Sequence, residues 1–365
     1  MPLLQPESII HLQRLEHNAA VLQKIVSDSK IMAVVKADAY GHGAVETAQT
    51  LSAFGVHGFC VALVKEAEEL VDAGIENPIL HLGAITQDAL SIYSSGQVRC
   101  TISSKDDLKL LENSGMDGMI AHIKVDTGMG RLGVAMENAD ELFKLAGKST
   151  RIKIEGIYSH FSTAEEEDTT YRELQLSRFK HIIEQSRQFL PEVSFYHIAN
   201  SAGIFLSKET HFNMVRPGIS VYGVSPLGKP HKDLKPAMEL RAPVAMVKNY
   251  SAGESIGYNR LYTTTDNENI AVLQAGYADG IPLSFSKGGQ VDINGKLHPI
   301  SGKVSMDLIT VSCLDVAINQ GDYATFWGSE IPDLKLEILA KKYNTIPYKL
   351  LTGVTARVKR VYVNG

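Results

Sequence analysis

The chain has 365 residues, too many for one ordinary hydrophobic core, so two domains are expected. An apolar fraction of 44% with 21% charged residues is that of a soluble globular protein, and a formal charge of −5 without a basic stripe argues against nucleic acid as a partner. The N-terminus, MPLLQPESIIHLQRLEHN, has no basic stretch leading into an apolar one, and no window approaches about 18 uninterrupted apolar residues, so a cytoplasmic protein without membrane attachment is expected.

The first clear element is the run Ile31 to Val35, five apolar residues with β-branched members, which reads as a strand covered on both faces. It stops at Lys36, followed by the turn-rich Asp38, Tyr40, Gly41 and Gly43, before a helical pattern begins near Ala44. By spacing alone Lys36 is either a strand-end lysine reaching solvent or a partly desolvated amine, nucleophilic and able to form a Schiff base. Short β-branched runs then alternate with helical patterns up to about residue 220. With 31–36, the strand candidates are 58–63, 78–83, 98–103, 119–126, 152–160, 195–200 and 214–218, eight in all. Between them lie helical stretches such as KEAEELVDAG, SKDDLKLLENSG and YRELQLSRFKHIIEQSRQFL, several opening on a capping residue and several ending at Gly. Eight strand-helix units over about 200 residues are what a parallel (β/α)8 TIM barrel needs. A doubly wound open sheet is the alternative, but no GxGxxG follows the first strand.

In such a barrel, chemistry sits at the C-terminal ends of the strands. The unusual polar residues fall there: Lys36 ends the first strand, Lys124 and Arg131 flank the end of the fifth, and His160 ends the sixth. Asn200 and Ser201 end the seventh, and Arg216 with Gly218 the eighth. Asn200 to Gly203 leave a strand and open a short helix, where small side chains and free N–H groups could cradle a phosphate. After about Leu234 the pattern changes. From 238 to 326, short alternating runs are broken by turn signals such as SAGES, TTDNEN, INGK and INQGD, with no helix of length until 334–344 and a last strand near 356–363. This predicts residues 1–234 as the α/β barrel and 235–365 as a mostly antiparallel β domain.

The motifs AVVKADAYGHG at 33, DTGMGRLG at 126, SHFSTA at 159, HIANSAG at 197, RPGISVYG at 216, GYNRLY at 257, GYADG at 276 and SMD at 305 run along the whole chain, and together they resemble the alanine racemase family. The resemblance implies a pyridoxal 5′-phosphate (PLP) enzyme interconverting L-alanine and D-alanine and supplying D-alanine for peptidoglycan. It implies that Lys36 carries the cofactor and that Tyr40 touches its phosphate. His160, Asn200, Ser201, Gly218 and Ile219 join the cofactor site by the same match. Arg216, otherwise readable as a surface or ion-paired arginine, matches the residue that hydrogen-bonds the ring nitrogen. An arginine keeps its proton near neutrality, so that nitrogen stays an unprotonated acceptor and the cofactor a weaker electron sink, which suits racemisation better than transamination.

Tyr258, otherwise an ordinary β-domain aromatic, matches the second base, acting on the face of Cα opposite Lys36. Inversion is simplest when one group removes the proton and another returns one from the other side. A phenol whose pKa is ordinarily about 10 then has to titrate nearer 7, a difference of roughly 4 kcal/mol, so cationic or hydrogen-bonding neighbours are required. Arg131 matches the arginine that contacts the cofactor hydroxyl and the substrate carboxylate. Met306, Asp307 and Tyr277 match the substrate pocket. In many of these racemases the lysine matching Lys124 bears a carbamate that holds the arginine. The family also implies a homodimer whose sites are shared between subunits.

The chain departs from the pattern at Asn259, where Gly is common, at Lys303 and Ser305, which replace Arg and Cys, and at Ala356, where many members place a phosphate-binding tyrosine. Other classes fit less well. A metal-dependent hydrolase would need clustered ligands, and the isolated His81, His160 and His197 do not supply them, so no metal is expected. Cys60, Cys100 and Cys313 are odd in number and far apart, which suggests neither disulfides nor zinc. Non-catalytic PLP-binding barrels lack a second domain. A decarboxylase on the same plan usually pairs the ring nitrogen with an acid, whereas this chain has Arg216. A broader-specificity or serine racemase stays open, because a small pocket separates methyl from hydroxymethyl only weakly.

Overall fold

The computed structural model describes residues 5–313 and 316–364, which gather into two compact units: residues 16–39 with 44–221, and residues 5–15 and 40–43 with 222–364. In chain order, β1 (Glu7–His11) is followed by helix Leu12–Val26 and then by the strands of the first unit. These are β2 (Lys30–Val34), β3 (Gly58–Val61), β4 (Ile79–His81), β5 (Val98–Ile102), β6 (Met119–Asp126), the two-residue β7 (Val134–Ala135), β8 (Ile152–Tyr158), β9 (Phe195–His197) and β10 (Met214–Val215).

Eight of these strands form a nearly closed parallel barrel in the order β10, β2, β3, β4, β5, β6, β8, β9, with β7 paired to the edge of β6. The ring is drawn together between β9 and β10 where the Arg216 N–H donates to the Ala199 carbonyl at 2.9 Å. Strands such as Ile31–Val35 and Phe59–Val61 are buried throughout, as their unbroken apolar runs demand. The helices turn only one face inward. In Lys105–Asn113 this is Leu108 and Leu111, and the helix opens on Ser104, whose hydroxyl accepts the Asp107 N–H at 3.1 Å.

The second unit holds β11 (Met238–Tyr250), β12 (Ser255–Ile256), β13 (Tyr262–Thr263), β14 (Glu268–Leu273), β15 (Gln290–Ile293), β16 (Lys296–Pro299), β17 (Ile309–Ser312), β18 (Tyr323–Trp327) and β19 (Lys359–Val363). The long β11 organises it. A register shift between Val244 and Met246 lets its first half pair with β1 and β18 and its second half with β14. The INGK signal becomes a tight hairpin between β15 and β16, with Asn294 and Gly295 both at positive φ (54° and 80°). Strand β1, near the start of the stretch read as barrel, pairs instead with β11 and, in parallel, with β19. The last strand begins at Lys359 rather than near Ala356, and two short helices, Leu336–Lys342 and Pro347–Thr352, precede it.

Candidate active site

Strand β2 ends at Val34, so Lys36 lies just past its C-terminal end and opens a tight six-residue turn, Lys36–Gly41. Ala37, Asp38, Ala39 and Tyr40 all take left-handed backbone, with φ between 50° and 55°. Each such non-glycine residue costs about 1–2 kcal/mol, so the turn needs outside support. Glu66 supplies part of it, accepting the Ala37 N–H at 2.7 Å while also accepting those of Ala62 and Leu63 at 2.8 and 3.0 Å. Asp38 accepts the Ala44 N–H at 2.9 Å. The ring of Tyr40, at the turn's end, lies 5.0 Å from Tyr222 and 5.8 Å from Tyr348.

Across the same barrel mouth, Arg216 is buried and nearly saturated. Nη1 donates to His197 Nδ1 and, at 3.1 Å, to the His197 carbonyl; Nη2 donates to the Ser159 carbonyl at 2.6 Å and to His160 Nδ1 at 3.4 Å. Its guanidinium lies 4.9 Å from the Tyr158 ring centre. A guanidinium has five N–H donors, and the four Nη hydrogens are engaged here. None of these bonds uses the fifth, on Nε.

Four cations share this mouth. Burial first, then Arg216, Lys124, Arg131 and Lys36, push the His160 imidazole down to about 3, so it is neutral. Burial, then Arg216 and Arg131, likewise bring the Lys124 ammonium down to about 8; its Nζ sits 5.5 Å from the Tyr158 ring centre. Arg131 ends a loop wrapped around Asp126, whose carboxylate accepts the N–H groups of Gly128, Met129, Gly130 and Arg131 at 2.8–3.2 Å. Burial opposes the Asp126 charge, but those four donors prevail and hold its pKa below the ordinary value. The loop needs Gly133, at φ 132°, where a Cβ would come within 2.9 Å of the Asp126 nitrogen.

Beyond β9, Asn200 caps the short helix Ser201–Ile204 by accepting the Gly203 N–H at 2.9 Å. The Ser201 hydroxyl accepts the N–H groups of Gly218 and Ser220 at 2.9 and 3.3 Å, bringing the turns after β9 and β10 together beside Ile219. The Ser220 hydroxyl is buried with no hydrogen-bond partner among the described residues.

In the second unit, Tyr277, Met306 and Asp307 are brought together. The Tyr277 N–H donates to the Ser305 carbonyl at 2.9 Å and that of Ala278 to Met306 at 3.1 Å. Gly276 permits this approach, since a Cβ there would lie 2.2 Å from the Met306 carbonyl oxygen. Arg357 bridges Asp307 at 2.8 Å and Asp279 at 3.3 Å. Tyr258 stands 67% exposed on a separate turn, with Asn259 at φ 58°. Asparagine tolerates that left-handed conformation, which accounts for its replacing glycine. Ala356 is exposed in the turn before β19.

Two residues of the mouth were not picked out from sequence as part of it. Asp126 is the hub of the Arg131 loop, and the Asp-Thr-Gly run was its signal. His197, set aside as an isolated histidine, is the partner of Arg216, and a buried histidine closing an interior strand was its signal. Among the described residues, no three His, Cys, Asp or Glu side chains are grouped so as to hold a metal ion, and no helix is long and apolar enough to cross a membrane.

Known proteins resemble the chain along its whole length. The alanine racemase N-terminal domain matches residues 10–226 and the alanine racemase C-terminal domain residues 237–362. The alanine racemase of Treponema pallidum is 36% identical over 376 aligned positions, covering 98% of this chain and 99% of that protein. The crystal structure of the alanine racemase from Streptomyces lavendulae superposes with a TM-score of 0.93 at 32% identity, over 100% of this chain and 98% of that one. That of Bartonella henselae, solved with covalently bound pyridoxal phosphate, gives a TM-score of 0.87 at 32% identity over 98% and 99% of the two chains. With both domains matched and the barrel and β domain reproduced from end to end, the chain belongs to the alanine racemase family.

Proposed function

We propose that the chain interconverts L-alanine and D-alanine with PLP carried on Lys36, and that Lys36 and Tyr258 exchange the Cα proton from opposite faces. The observation that carries this reading is Arg216. Four of its hydrogens are held by the protein, and the fifth is left for an acceptor such as an unprotonated ring nitrogen. The surroundings also fit an anionic cofactor and a carboxylate substrate. Lys36, Lys124, Arg131 and Arg216 make the barrel mouth cationic, and the Ser201 and Ser220 hydroxyls with the Ile219 backbone N–H offer a small polar cradle suited to a phosphate.

When bound, PLP withdraws electron density from Cα and so acidifies its proton. Lys36 anchors it and acts as one base, and Tyr40, His160 and Asn200 complete its surroundings. Arg131, with Tyr277, Met306 and Asp307, orients the substrate carboxylate and limits the side-chain pocket. We also propose a division of the chain near 234/235, a reading that the interval between the two domain matches supports. A cytoplasmic homodimer supplying D-alanine for peptidoglycan completes the reading.

The test is racemisation of a panel of single amino acids by the purified, PLP-loaded protein. Alanine is expected to be turned over fastest, with a yellow wild type and a colourless, inactive Lys36→Ala. A colourless wild type that racemises alanine without PLP overturns the cofactor assignment, and a preference for serine overturns the substrate.

A further inference from the structure

Behind Arg216, a polar chain runs into a barrel interior of the kind usually filled by branched aliphatic side chains. His197 Nε2 lies 2.8 Å from His122 Nδ1, and His122 Nε2 lies 3.3 Å from Glu155 Oε2. Glu155 in turn accepts from Arg99 Nε at 3.0 Å and Nη2 at 3.4 Å, while Arg99 Nη1 is fixed on the carbonyls of Gly96 and Gln97. Both histidines are fully buried.

The backbone is shaped for this chain. The pairing of β6 with β8 slips between Ala121 and His122, so that Ala121 faces Ile154, His122 faces Gly156, and Glu155 is the extra residue of a bulge. A bulge re-aims a side chain, here the carboxylate that meets His122. Gly156 makes room for the ring: a Cβ there would lie 2.5 Å from His122 Nδ1. The His197 plane is fixed separately by Tyr158, stacked at 4.9 Å and 3°. Buried ion pairs contribute little net stability compared with apolar packing, so stability alone does not account for the arrangement.

Its proton order is determined from one end. Arginine only donates, so His197 Nδ1 accepts and its proton sits on Nε2. His122 Nδ1 then accepts from His197, and His122 donates from Nε2 to Glu155. Two neutral imidazoles, each with its hydrogen on Nε2, thus link the Glu155 carboxylate to the guanidinium.

We propose that Glu155, His122 and His197 are positioning residues for the reaction: the chain from Arg99 fixes His197 as an acceptor, and this holds Arg216 with its Nε–H turned toward the cofactor ring nitrogen. The proposal rests on the PLP reading above. Burial, then Arg216 and His122, hold His197 well below the ordinary histidine value, and burial outweighs Glu155 in lowering His122. Burial disfavours the Glu155 charge, but His122 and Arg99 bring its pKa down to about 2. These shifts agree with the protonation pattern that the geometry requires.

The holoenzyme labelled with 15N-histidine tests the chain directly, with resonances assigned by His197 and His122 substitutions. Both imidazoles are expected as the Nε2–H tautomer, unchanged between about pH 6 and 9. An Nδ1–H tautomer or a titration at either ring in that range overturns the proposal. The consequence for the cofactor is read in variants loaded with PLP labelled at its ring nitrogen. His122→Phe breaks the chain, and kcat should fall about 10- to 100-fold, the effect known for residues that orient a metal's ligands, with KM for alanine little changed and the ring-nitrogen resonance displaced. His122→Gln can accept from His197 and donate to Glu155, so it should restore kcat to within about threefold of wild type and return the resonance. A ring-nitrogen resonance and kcat unmoved by His122→Phe, in a protein that binds PLP and racemises alanine, sinks the inference alone. If His122→Phe does not fold, the wild-type tautomers and His122→Gln decide. Failure of the wild type to bind PLP sinks the function reading instead, and the tautomers still report on the chain.

Discussion

The carboxylate of Glu66 accepts the backbone N–H of Ala37, the residue next to Lys36, at 2.7 Å. It thereby ties the helix Val64–Asp72 to the first residue of a left-handed turn that four non-glycine residues adopt at a cost. Glu66→Ala removes an acceptor for three N–H groups and should destabilise the fold by about 1–3 kcal/mol. Because the loss falls beside Lys36, PLP should also dissociate faster. Thermal unfolding and cofactor release by dialysis measure the two effects. A variant as stable and as tightly loaded as wild type would show that the turn holds itself.

Lys124 invites a test by pH. Burial, with Arg216 and Arg131 next, brings its ammonium down to about 8, and the neutral amine is the form that adds carbon dioxide. A lowered lysine value means that the amine is charged below about 8 and increasingly neutral above it. A 13C carbamate resonance should therefore appear with labelled bicarbonate, grow as pH rises through about 8, fade toward pH 6, and vanish in Lys124→Gln. A wild type without it at any pH would leave Lys124 a simple buried cation.

Stereochemistry separates the two proposed bases. If Lys36 and Tyr258 serve opposite faces of Cα, Tyr258→Phe should slow exchange with solvent deuterium about 100-fold or more for one enantiomer, expected to be L-alanine, and far less for the other. Proton NMR of each enantiomer in deuterium oxide gives both rates. Equal, mild losses would make Tyr258 structural.

Tyr258 and Lys36 lie in different compact units, and the family's shared-site dimer would bring them together from two chains. Mixing Lys36→Ala with Tyr258→Phe then yields heterodimers in which one site carries both lesions and the other none. Random exchange makes about half the dimers mixed, so roughly a quarter of wild-type activity should return from two inactive parents. If subunit exchange is demonstrated and no activity returns, the two residues act from one chain.

What the sequence determined by itself was the local pattern and the order of chemistry along it. Runs such as Ile31–Val35 and Ala121–Val125, buried on both faces, announce barrel strands, and Lys36, Lys124, His160 and Arg216 stand near or just beyond strand ends because that is where a parallel barrel gathers its functional side chains. The INGK turn was equally legible, since Asn-Gly accommodates the positive φ values of a tight hairpin. Tertiary structure decided the rest. Nothing in ESIIH specifies that β1 joins β11 and β19, because pairing depends on strands more than 200 residues away. KADAYG does not announce four left-handed residues, for that backbone persists only while Glu66 and Asp38 hold it. The bulge at Glu155 and the passage from Arg216 to Arg99 are matters of register between β6 and β8: a slip of one residue re-aims a carboxylate, and only the assembled barrel fixes that slip.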